Sequence, residues 1–61
     1  MRDYKLERRL LTAARQFPTI GELRGSACSV VEIRGVLKIS EHQPEGYPSS
    51  LAIEDYLCLL D

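Results

Sequence analysis

The sequence predicts a small α+β domain, one folding unit over residues 1–61, and three stretches carry that prediction. Residues 3–16 repeat apolar side chains at helical spacing, residues 29–40 alternate them at period two, and residues 50–60 are apolar almost throughout. The expected elements are an amphipathic N-terminal helix, a short irregular or extended segment, a β-branched strand or hairpin near 29–40, and an apolar C-terminal helix. The alternative is an all-α chain with a helix-turn-helix centre.

In the first stretch Leu6, Leu10, Leu11, Ala13, Ala14 and Phe17 share one side of a helical wheel, with Tyr4 at its edge. Lys5, Arg8, Arg9, Thr12, Arg15 and Gln16 share the other side. That is the pattern of a surface helix packed on a core. Asp3 suits the N-cap or the first turn, and Pro18 stops the helix because it disfavours helical geometry at Phe17 and has no N–H. Residues 19–27 are open to two readings. Thr19-Ile20-Gly21-Glu22 fits a capping box, with Ile20 and Leu23 turned inward for about one and a half turns and Gly25-Ser26 closing it. Otherwise the segment is irregular or extended, with 19–24 able to pair the strand in a hairpin.

Residues 29–40 decide the fold class. At period two, Val31, Ile33, Gly35, Leu37 and Ile39 fall on one face, and Val30, Glu32, Arg34, Val36, Lys38 and Ser40 on the other. This reads as a half-buried strand in β-branched residues, with Gly35 marking a bulge or a close approach. At helical period the apolar residues scatter around the wheel, although Ser29-Val30-Val31-Glu32 forms a second capping box. Residues 41–50 hold two prolines and a glycine and read as a loop. Ser49 or Ser50 then caps a helix whose apolar residues Leu51, Ala52, Ile53, Tyr56, Leu57, Cys58, Leu59 and Leu60 cover most of the wheel. A domain of 61 residues has too little protein to surround such a helix. A lone strand likewise leaves an edge to be paired. Both features point to a homodimer or another protein partner.

Charge is distributed unevenly. Residues 1–40 carry eight basic and four acidic side chains, whereas residues 41–61 carry five acids and no Lys or Arg, for a net charge of −1. The two halves can attract each other within one fold, or the basic half can meet an acidic partner. The near-neutral total gives no global field for nucleic acid or membrane. No charged leader with an apolar core and no apolar run of spanning length is present, so a cytoplasmic chain without membrane contact is expected. Short chains of this kind are common among phage and mobile-element regulators, an expectation that comes from size alone.

Nothing in the sequence forms a catalytic constellation. The single histidine, His42, lies in the Pro/Gly loop, and Glu54 and Asp55 are neighbours that diverge on a helix. Gly21, Gly25 and Gly35 are too far apart for a phosphate loop. Cys28, Cys58 and His42 have no zinc-module spacing, so no metal, no cofactor and no small-molecule substrate is expected, and both cysteines read as reduced, largely buried thiols. The expected function is that of a non-enzymatic accessory or regulatory protein acting by protein–protein interaction as a homodimer. Lys5, Arg8, Arg9 and Arg15 on the first helix and Tyr56, Leu57 and Leu60 on the last are the candidate partner-binding residues.

Thr19-Ile20-Gly21-Glu22-Leu23, a small-residue turn through Gly25-Ser26-Ala27-Cys28, and Ser29-Val30-Val31-Glu32-Ile33-Arg34-Gly35-Val36-Leu37 together resemble the second and third helices of winged-helix regulators. That resemblance implies DNA binding, with Arg24, Arg34 and Lys38 as the candidate contacts. It spans residues 19–38, and no family is recognised over the whole chain. The turn is about one residue short for the winged form, and Gly35 in mid-helix costs about 1 kcal/mol relative to alanine.

Overall fold

Asp3 opens the first helix: its carboxylate accepts the backbone N–H groups of Lys5 at 3.0 Å and Leu6 at 3.2 Å. In the computed structural model, which describes residues 3–26 and 31–60, four helices follow in order. They are α1 (Tyr4–Gln16), α2 (Ile20–Gly25), α3 (Val31–Ile39) and α4 (Ser49–Leu60). α1 ends where Pro18 requires it to, with the Phe17 N–H closing on the Ala13 carbonyl at 2.8 Å. The irregular or extended segment expected here is instead helical over Ile20–Gly25, and the capping-box alternative is the one that forms: Thr19 Oγ1 accepts the Glu22 N–H, and Glu22 Oε2 accepts the Thr19 N–H, each at 3.3 Å. Ile20 and Leu23 are buried, and Ser26 closes the helix by donating its hydroxyl to the Leu23 carbonyl at 2.7 Å.

The α+β assignment is overturned at residues 31–39, which are helical; Ser29 and Val30 of the expected strand lie outside the described residues. Ile33, Val36, Leu37 and Ser40 follow the helical i, i+3, i+4, i+7 spacing. Ile33, Val36 and Ser40 are buried, Leu37 is half-buried, and Arg34 and Lys38 stay exposed. Period two fails because Val36, which it assigns to the polar face, is fully buried. Gly35 is a close approach between helices: a Cβ there would stand 2.7 Å from Cε2 of Tyr56 on α4. The small residue lets α3 and α4 pack together despite its poor helix propensity. With the strand goes the unpaired edge it would have presented. Among the described residues the only extended pairing is an isolated antiparallel bridge between Thr19 and Pro48.

One core joins all four helices: Leu10 and Ala14 from α1, Ile20 and Leu23 from α2, Ile33 and Val36 from α3, and Ala52, Ile53 and Leu57 from α4. Leu6, Ala13, Phe17, Leu37, Tyr47 and Tyr56 pack at its margin. Leu11 and Tyr4, grouped with the apolar arc by periodicity, are exposed instead. The 41–48 loop is laced to α2 by the Ile20 N–H on the Tyr47 carbonyl (2.9 Å) and the Gly21 N–H on the Glu45 carbonyl (2.8 Å). A Cβ on Gly21 would stand 3.0 Å from Cβ of Glu45, so this approach favours glycine. Ser49 does not cap α4 with its side chain as expected; its hydroxyl donates to the Phe17 carbonyl at 2.6 Å. The Ser49 N–H bonds the Pro18 carbonyl at 2.8 Å, fixing the start of α4 to the end of α1.

Candidate functional site

The outer side of α1 is the most distinctive surface of the molecule. Tyr4, Arg8, Leu11 and Arg15 stand at i, i+4, i+7 and i+11, which aligns them in one stripe along the helix. All four are exposed, Tyr4 by 75% and Leu11 by 37%. Lys5 and Arg9, also exposed, flank the stripe, so the basic residues expected to bind a partner do share one helix surface. Arg8 is central to it and borders three grooves: one of 380 Å³ shared with Leu10 and Ile33, one of 270 Å³ shared with Leu11 and Arg15, and one of 600 Å³ shared with Tyr4 and Lys5. The arginines are legible in the sequence, whereas periodicity places Leu11 inward and Tyr4 at the edge of the core-facing arc. The signal for their exposure is that both lie at arginine spacing, beside the basic face.

The three candidates on α4 separate. Leu57 is 1% exposed and belongs to the core, so its side chain is engaged within the chain. Tyr56 is half-buried against Gly35. Leu60 is exposed, as are Leu51 and Leu59, the last by 70%. Cys58 is also exposed, contrary to the expected buried thiol, whereas Cys28 lies outside the described residues. Glu54 and Asp55 occupy the same outer side of α4.

The DNA-contact candidates separate as well. Arg34 and Lys38 are exposed one turn apart on α3. Arg24 is turned inward: its guanidinium donates to the Ser40 carbonyl beyond the end of α3 and is half-buried there. It ties α2 to the C-terminal end of α3, where a cation also complements the helix dipole.

Among the described residues, no three His, Cys, Asp or Glu side chains group to hold a metal ion. His42 lies beside Glu41 at 3.1 Å, both largely exposed in the loop after α3. No described helix is long and apolar enough to cross a membrane. Comparison of the chain with protein-family models, curated proteins and solved structures finds no match.

Proposed function

We propose that this chain is a non-enzymatic regulatory or accessory protein that acts by protein–protein interaction, as a homodimer. The observation that carries this reading is the exposed stripe of Tyr4, Arg8, Leu11 and Arg15. Tyrosine and arginine are over-represented among residues that dominate interface energetics, because each combines a large contact area with polar groups that fix orientation. Sedimentation of the folded chain from micromolar to high micromolar concentration tests the reading. A concentration-dependent species heavier than the 6.9 kDa monomer is the expected result. A folded monomer at every concentration sinks it.

A second reading is favoured by the helical state of residues 31–39. In it, α2 and α3 form a helix-turn-helix pair, and Arg34 and Lys38, exposed on α3, meet DNA phosphates or base edges. Titration of a mixed-sequence duplex across a salt series separates the readings. DNA binding through these residues weakens steeply as salt rises and weakens further in Arg34→Ala with Lys38→Ala. No complex at low salt removes the DNA reading.

A further inference from the structure

The outer sides of α1 and α4 match each other in spacing and oppose each other in charge. On α1, Tyr4, Arg8 and Leu11 place an apolar group, a cation and an apolar group at i, i+4 and i+7. On α4, Leu51, Asp55 and Cys58 place an apolar group, an anion and an apolar group at the same spacing, with Glu54 beside the anion and Leu59 beside the thiol. All eight side chains are exposed. Within the described residues, no ion pair joins Arg8 or Arg15 to Glu54 or Asp55. The two helices have similar lengths, 13 and 12 residues.

We infer that the partner of this surface is a second copy of the chain, with the α1 stripe of each copy seated on the α4 stripe of the other. Apolar groups then meet at both ends of the contact and Arg8 faces the Glu54–Asp55 pair in the middle. Reversing the direction of one helix keeps that match, because the acids occupy both central positions. Area favours two such contacts over one. A stable interface takes about 800 Å² from each partner, about a fifth of the 4258 Å² surface of this chain, and two helix stripes come nearer to that than one. A two-fold axis provides the second contact without any further sequence, since α1 meets α4 and α4 meets α1. This pairing rests on the homodimer reading and makes it specific.

Charge reversal tests the pairing. Arg8→Glu with Arg15→Glu makes both stripes acidic; Glu54→Lys with Asp55→Lys makes both basic. Each double variant keeps the core intact, and its helical circular dichroism checks that it folds. Each alone is expected to associate at least about tenfold more weakly than wild type, because like charges oppose across both contacts. An equimolar mixture is expected to restore a dimer-sized species, since every acidic stripe then meets a basic one. If wild type dimerises but either variant dimerises equally well, or the mixture stays monomeric, the pairing is overturned while the homodimer reading stands. A folded wild-type monomer at every concentration overturns both.

Discussion

Ser49 and Phe17 are 32 positions apart in sequence and share a hydrogen bond of 2.6 Å, from the serine hydroxyl to the phenylalanine carbonyl. Ser49 is fully buried, and its backbone N–H bonds the next carbonyl, that of Pro18, at 2.8 Å. One residue thus satisfies the carbonyl of the α1 C-cap, which has no helical partner, and that of the residue after it. Ser49→Ala removes the hydroxyl and leaves the Phe17 carbonyl without that donor. The expected loss is about 0.5–1.5 kcal/mol, the net contribution of a hydrogen bond whose acceptor is only partly buried. Urea unfolding of the variant measures it, and an unchanged midpoint would show that the bond contributes nothing net.

Leu57 and Leu59 lie two positions apart on α4 and have opposite environments, 1% and 70% exposed. Leu57→Ala opens a cavity in the core and costs about 2–5 kcal/mol. A domain of 61 residues has a total stability of roughly 3–9 kcal/mol on the usual per-residue scale. Leu57→Ala should therefore remove a large fraction of the total stability and lower the urea midpoint strongly, whereas Leu59→Ser changes monomer stability by less than about 0.5 kcal/mol. Comparable losses from the two would contradict the assignment of the core side of α4.

Arg24 acts on the fold rather than on a ligand. Its guanidinium and the Gln43 N–H (2.9 Å) both bond the Ser40 carbonyl. Arg24→Ala therefore leaves that carbonyl one donor, and the expected cost is about 0.5–1.5 kcal/mol rather than that of an orphaned group. Should a duplex bind, its affinity for folded Arg24→Ala should match wild type, unlike the Arg34→Ala, Lys38→Ala variant. An equal loss of affinity in both would return Arg24 to the DNA surface.

The sequence was legible wherever local chemistry alone decides. Asp3, Pro18 and the Thr19–Glu22 box set the ends of α1 and α2 through bonds within a few residues, and each forms as read. The basic face of α1 was legible for the same reason. Residues 31–39 were misread because their β-branched residues and their glycine suit a strand locally, while the helix is favoured by contacts with α1, α2 and α4 that no local pattern records. The spacing Ile33, Val36, Leu37 and Ser40 held the helical signal, but it required counting a buried serine as part of the inward face. Leu11 was misassigned because a wheel shows which residues are neighbours, not where the covering helices stop. Ser49 was misread because its partner is 32 residues away.

Gly35 and Tyr56 provide the sharpest test of the corrected fold. In a free helix, replacing a mid-helix glycine by alanine gains about 1 kcal/mol. Here the added Cβ would stand 2.7 Å from Cε2 and 2.9 Å from Cζ and the hydroxyl oxygen of Tyr56, so the ring must move away from α3. The two effects oppose each other, and the balance depends on the ring. In a Tyr56→Ala background the obstacle is gone, and Gly35→Ala should stabilise by about 0.5–1 kcal/mol, the bare propensity gain. In wild type that gain should vanish or reverse, giving a coupling of at least about 0.5 kcal/mol between the two sites. Urea midpoints of the four proteins in the cycle measure it. Equal effects of Gly35→Ala in both backgrounds would mean that α3 and α4 do not meet at these residues, and the helical packing of 31–39 would lose its principal explanation.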